Sequence, residues 1–252
     1  MIDIVSSSNQ HIKHAKALLT KKGRNEYGEY TVEGIKSVNE AIASNCDISM
    51  IFISDGFDEK NISESKAATY RVGNGIFEKI CDTKNPQGVL AVVKKKNVEL
   101  SGLKTNGMYL YCDNIQDPGN MGTLIRTADA AGFDGVLLSA GCVEIYNPKT
   151  VRASMGSFFK MPVYENITDI FSFGADVYGG ALTDNTVDYR SVDYSKTVII
   201  VVGNEANGIS KEVLSGCTPV KIPIYGSAES LNAAVAAGIL MYEVANRKKK
   251  TD

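Results

Sequence analysis

Apolar positions recur with two different periods along this 252-residue chain. Ile35, Val38, Ala41 and Ile42 share one stripe of a helix over 34–43, and Met121, Leu124, Ile125 and Ala128 share one over 121–131. The spacing also predicts helices over 9–19, 148–153 and 230–247. Elsewhere apolar and β-branched residues run together, which predicts strands over 30–32, 48–53, 87–93, 108–112, 135–138, 176–182, 197–202 and 219–222. Thr197-Val-Ile-Ile-Val-Val202 is apolar on both sides of the pleat, as a central parallel strand requires. The alternation of strand and helix predicts an α/β fold with a mostly parallel sheet. Residues 94–106 are polar and aperiodic, so the expected domains are 1–104, with its linker from about 94, and 105–252. The last helix is apolar on every side. Leu231, Ala234, Val235, Gly238, Ile239 and Tyr242 lie on one face, and Ala233, Ala236, Ala237 and Leu240 on the other. It should be buried, against its own domain or against a second copy of the chain.

Composition narrows the chemistry. Hydrophobic residues make up 44% and charged residues 22%, an ordinary soluble globular balance, and no apolar run reaches the roughly 18 residues of a membrane helix. Five scattered cysteines without CxxC spacing indicate neither a metal site nor a disulfide framework, and fit a reducing cytoplasm. The two histidines are His11 and His14, so a histidine base from deeper in the chain is excluded. The net charge of −2 conceals an asymmetry: 1–105 holds 15 Lys and Arg against 13 Asp and Glu, and the rest holds 12 against 16. The basic residues cluster at Lys13, Lys16, Lys21, Lys22 and Arg24, at Lys94–Lys96, and at Arg247–Lys250. Such clusters follow a phosphate backbone, or are solvated faces and helix ends.

Ligands of a parallel sheet bind beyond the carboxyl ends of its strands. Three loops there are unusual. Asp113–Arg126 holds a Pro-Gly-Asn turn and places Arg126 off the buried stripe, facing either a ligand or the carboxylates of Asp129 and Asp134. Gly203-Asn-Glu-Ala-Asn-Gly208 suits an anion or the edge of an adenine, or is a plain tight turn; it is neither a Walker loop nor GxGxxG. Ile222–Asn232 brings Ser230 and Asn232 to the first turn of the last helix, to face a ligand or to leave capping to Ser227 or Ser230. No metal set, paired carboxylates or GxSxG elbow is present.

Taken together, Asn114–Arg126, Gly203–Gly208 and Ile222–Asn232 resemble the three signature motifs of the SpoU (TrmH) RNA ribose 2′-O-methyltransferases of the SPOUT superfamily. Asn147–Gly156 is also similar to that family, and 26–93 resembles its L30e-like RNA-substrate-binding domain. The resemblance implies a trefoil-knotted α/β domain, a homodimer, S-adenosylmethionine as cofactor, no metal, and RNA as substrate. Ribosomal RNA is favoured over transfer RNA or over a catalytically silent assembly factor. Arg126, Ser230 and Asn232 fall on catalytic positions, and Glu205 on one that supports the site. Gly203, Glu205, Ile222, Leu231 and Asn232 fall on the cofactor loops. RNA contacts are expected from Asn120, Arg126 and Arg152, and from the basic cluster Lys13, Lys21, Lys22 and Arg24.

Overall fold

The structure is a computed structural model that describes residues 1–183 and 185–249; Lys250, in the last basic cluster, lies outside them. The chain forms two compact units. One comprises Met1–Asn97 and Glu144–Lys160, the other Val98–Val143 and the chain from Met161 onward. The division near 97 falls inside the predicted linker. The segment 144–160, placed by the sequence with the second domain, packs in the first.

The first unit is built on β1 (Ile2–Ile4), β2 (Glu29–Glu33), β3 (Ile48–Ser54), β4 (Ala68–Val72) and β5 (Val89–Lys94), in the order β1-β4-β3-β5-β2. β1, β4 and β3 run parallel, and β5 is antiparallel to both β3 and β2. Its helices are α1 (Gln10–Ala17), α2 (Lys21–Tyr27), α3 (Ile35–Ala43), α4 (Asn74–Phe77) and the later helix Pro148–Ala153. Ile12, Leu18, Phe52, Phe77, Leu90 and Val92 are buried in one core cluster. β1, α2 and β4 were not predicted. Each is short, and β4 alternates Tyr70 and Val72, which are buried, with Thr69 and Arg71, which are not.

Arg24 is corrected by the fold. Gly23 packs so closely that a Cβ there would lie 2.1 Å from the Ala17 carbonyl oxygen, and this corner turns Arg24 inward. Its side chain is 3% exposed and grips Glu144, Nε to Oε1 at 3.1 Å and Nη2 to Oε2 at 2.6 Å, while Nη1 donates to Leu18 O at 2.8 Å. A guanidinium held so fully offers nothing to RNA, unlike Lys13, Lys21 and Lys22, which are exposed.

The second unit is a seven-stranded sheet of β6 (Met108–Asp113), β7 (Gly135–Leu138), β8 (Val163–Tyr164), β9 (Asp176–Gly180), β10 (Val187–Asp188), β11 (Val198–Gly203) and β12 (Thr218–Lys221). The order is β10-β12-β9-β11-β6-β7-β8, and every pairing is parallel. β11 is central, and Val198–Val202 are buried as the two-sided apolar run requires. Leu100 and Leu103, from the predicted linker, pack on this core. Its helices are α5 (Pro118–Ala131), α7 (Lys211–Gly216) and α8 (Ala233–Lys249), the Pro148–Ala153 helix of the first unit being α6. α5 starts three residues before the predicted point because Asp117 caps it and Pro118 fits its first turn. α8 starts at Ala233, three residues later than expected. It buries Ala234, Ala237, Leu240, Met241 and Val244, while Val235 and Tyr242 are 53% and 47% exposed. The single chain thus covers one face of this helix.

Candidate active site

β6 and β11 are adjacent and in register, with Gly203 opposite Asp113. The loops that leave their carboxyl ends therefore meet. Asp113, 2% exposed, ties them: Ser210 N–H donates to its Oδ2 at 2.7 Å, and Asn114 Nδ2 to its Oδ1 at 2.9 Å. Asn204 Nδ2 donates back to Asn114 O at 2.9 Å, while its Oδ1 accepts from Ala206 and Asn207 N–H. The sequence reading singled out neither Asp113 nor Asn204. The available signal was a carboxylate closing an apolar strand, since a buried charge must be answered by fixed donors.

Glu205 gathers the start of α5. Asn120 Nδ2 donates to its Oε1 at 2.9 Å, and the Gln116 and Asp117 N–H groups reach its two oxygens at 3.3 Å. Burial pushes its pKa up, but these hydrogen bonds outweigh burial and hold it below the usual glutamate value. The other end of the Asn120 amide completes the chain: its Oδ1 accepts from Asn232 Nδ2 at 3.1 Å. Asn232 Oδ1 in turn accepts from Ala234 and Val235 N–H, so Asn232, rather than Ser227 or Ser230, caps α8. One hydrogen-bonded line, Glu205–Asn120–Asn232, thus joins all three signature loops.

Arg126 is exposed on α5, about 9 Å along the axis from Asn120. Asp134, one of the acids considered for it, is held by Lys104 at 2.8 Å and by Met108 N–H at 3.0 Å. Among the described residues Arg126 has no ion pair, so its charge faces outward. Ser230 is exposed too, and residues 224–231 make no backbone hydrogen bond among the described residues. Leu231 is 38% exposed, and Ile222 is half-buried after β12. A segment with free backbone donors and acceptors next to an apolar side chain suits an adenosine with an amino-acid tail.

Gly203 needs no side chain for a local reason. A Cβ there would lie 2.1 Å from Gly208 C and 2.2 Å from Ile209 N, so the loop folds back on its own backbone. The left-handed residue of the loop is Gly208, at φ +70°. Arg152, in the first unit, is partly exposed and pairs through Nη2 with Asp82 Oδ2 at 2.6 Å. Among the described residues there is no group of His, Cys, Asp and Glu able to hold a metal, and no helix long and apolar enough to cross a membrane.

Comparison with known proteins places this arrangement. The MRM3-like substrate binding domain matches residues 9–91. The 23S rRNA (guanosine(2553)-2′-O)-methyltransferase RlmP of Bacillus subtilis is 36% identical over 97% of this chain and 99% of its own. The crystal structure of an AdoMet-bound rRNA methyltransferase from Sinorhizobium meliloti superimposes with a TM-score of 0.87 at 31% identity, covering 97% of both chains. The SpoU methyltransferase AviRb from Streptomyces viridochromogenes shares the fold, with a TM-score of 0.86 over 96% of this chain and 98% of its own, at 24% identity. The SpoU rRNA Methylase family model matches residues 107–242, the span that carries the seven-stranded sheet and all three joined loops, and the chain belongs to that family.

Proposed function

We propose that this protein transfers a methyl group from S-adenosylmethionine to a ribose 2′-hydroxyl of ribosomal RNA. The observation that carries the reading is the line Glu205–Asn120–Asn232, which fixes three loops at the carboxyl edge of a parallel sheet beside an unpaired arginine. The relatives' names supply the substrate class and the cofactor.

The cofactor supplies an electrophilic methyl on a sulfonium. Everything else falls to the chain. Residues 222–231 and the turn at Gly203 hold the cofactor through backbone groups, with Leu231 against its apolar surface. Asn232 keeps its amide at a set angle because both ends are engaged, so it orients rather than titrates. Arg126 stabilises the oxyanion that develops on the ribose or clamps the adjacent phosphate. As the oxygen takes the methyl and the sulfonium leaves as a neutral thioether, the ribose proton passes to phosphate, to water or to the free hydroxyl of Ser230. The remaining barrier is lowered by alignment of oxygen and methyl.

We also infer a homodimer. Thr123 and Thr127 of α5 and Val235, Gly238, Ile239 and Tyr242 of α8 line one groove of about 530 Å³, which a second copy would cover. Lys13, Lys21 and Lys22 are the proposed sequence-independent RNA contacts, and the protein works in the cytoplasm. The test is transfer of labelled methyl from S-adenosylmethionine to ribosomal RNA, followed by mapping of the modified nucleotide. A ribose-methylated nucleotide is expected. Label on a base, or none on RNA, would overturn the reading.

A further inference from the structure

We propose that a fourth loop, residues 139–143 after β7, sets the position of the reacting groups, and that Ser139 and Gln116 are positioning residues for methyl transfer. The inference rests on the methyl-transfer reading above and adds to it a part of the fold outside the three signature loops.

β6 has two neighbours, β11 on one side and β7 on the other. All three run parallel, so the loops that leave their carboxyl ends lie side by side. The segment 113–117, which leads into α5, is the middle one. The Asp113 and Glu205 hydrogen bonds described above tie it to the β11 side. A second set ties it to the β7 side. Ser139 N–H donates to Cys112 O at 3.1 Å, one residue beyond the paired strands. Asn114 N–H donates to Ser139 Oγ at 2.9 Å, Val143 N–H to Ile115 O at 2.8 Å, and Gln116 Nε2 to Gly141 O. Burial pushes the Cys142 thiol above its ordinary pKa, so it keeps its proton and donates to Cys112 O at 3.1 Å.

Asn114 shows what these bonds hold. Its φ is +55°, in the left-handed region. A residue with a side chain persists there where its surroundings over-determine it. The Asn114 N–H is on Ser139, its C=O on Asn204 and its side-chain amide on Asp113. Its Oδ1 packs on Gly141, where a Cβ would lie 1.7 Å away. One residue is thus gripped by the β7 and β11 loops at once. Gln116 repeats the arrangement two residues on: its N–H faces Glu205 and its side chain faces Gly141. α5 begins directly afterwards, at Pro118. A helix moves as a unit, so any shift of this turn passes to Asn120 and Arg126. Ser139 and Gln116 therefore act through α5 and not on the reacting atoms.

The test uses the full chain. It reads kcat and KM for ribosomal RNA, S-adenosylmethionine affinity, melting temperature and amide hydrogen exchange over 114–126. The variants are Gln116→Ala, Ser139→Ala and Ser139→Thr. Turnover should fall roughly 10-fold in Gln116→Ala and Ser139→Ala, because a small misplacement of a reacting group is enough. KM and cofactor affinity should stay within about twofold of the parent's, the pattern of an interaction that counts in the transition state alone. Ser139→Thr keeps a hydroxyl for the Asn114 N–H and should keep turnover near the parent's. Exchange at Asn114 and over the first turn of α5 should quicken in Ser139→Ala and not in Ser139→Thr. Parental turnover in both alanine variants would overturn the proposal. So would a loss matched step for step by cofactor affinity and melting temperature, or a Ser139→Thr as impaired as Ser139→Ala. If the parent itself transfers no methyl to RNA, the proposed function fails. The exchange data then decide the role of the loop, and unchanged exchange in Ser139→Ala overturns it.

Discussion

The buried charges of the first unit join segments far apart in sequence, whereas the buried carboxylate of the second joins loops around a site. Arg24 and Glu144 are separated by 120 residues and meet inside the first unit, with Lys95 at 3.4 Å as a third member. Glu29 there has an oxygen 2.8 Å from Nε2 of His14, whose ring stacks on Tyr27. In the second unit Asp113 answers the Ser210 backbone N–H and the Asn114 side-chain amide at its strand-end loops, and Glu205, more exposed, answers the backbone N–H groups of Gln116 and Asp117. Buried charge in the one place holds an architecture together. In the other it sets the position of groups that themselves remain open to solvent.

That contrast is broken most severely by removing one partner of the inner pair. Glu144→Ala strands the Arg24 guanidinium in the interior and should cost about 3–5 kcal/mol of stability, read by denaturant unfolding. A loss below about 1 kcal/mol, the value of an exposed pair, would show that the ion pair holds nothing. Arg126→Ala should do the opposite. Methyl transfer should fall on the order of 100-fold, about 2.7 kcal/mol in the barrier, with folding and S-adenosylmethionine binding retained. Activity within a few-fold of the parent would remove Arg126 from the mechanism.

The glycines of the second unit's loop sharpen the comparison further. Gly203→Ala forces a Cβ into the backbone of Gly208 and Ile209, so cofactor affinity and melting temperature should fall together. Gly208→Ala meets open space and bears only the left-handed backbone cost, about 1–2 kcal/mol. Equal melting temperatures for the two would contradict the close packing at Gly203. Asn232→Ala should cost about 1 kcal/mol through the lost cap, and should lower turnover more than cofactor affinity. The smallest effect is one of pH. Because the Glu205 pKa is depressed, the stability it contributes is present above the ordinary glutamate value of about 4.3 and is lost only as pH falls through its lower folded value. Cofactor binding in Glu205→Gln should lose that acid limb, seen by titrating both proteins in parallel.

Much of the second unit was legible in the sequence. A strand buried on both faces announces itself by an unbroken apolar run, as 197–202 did. A glycine-rich strand end announces a loop that approaches a ligand. The line through Asn120 was less legible, because an asparagine that bridges a carboxylate and a second amide looks, residue by residue, like any turn asparagine. Arg24 misled because a cluster of Lys and Arg reads as one surface, while a single glycine at 23 turned one member of it inward. The membership of 144–160 was hidden for a related reason. The apolar residues Ile145, Tyr146, Val151 and Phe159 say that the segment is buried, not which core receives it.

The placement of that segment has a consequence for how the protein is made. The first unit lacks part of its interior until residue 160 has been synthesised, since Glu144, Tyr146 and Phe159 arrive only after the first strands of the second sheet. Domains ordinarily fold as they emerge, amino-terminal first. Here the amino-terminal unit has to wait, partly open, for a strip of chain from beyond its neighbour's opening strands. The two units are therefore not exchangeable cassettes. A truncation that begins at residue 105 would carry Ile145, Tyr146, Val151 and Phe159 into solvent, and should aggregate unless 144–160 is supplied with a cover.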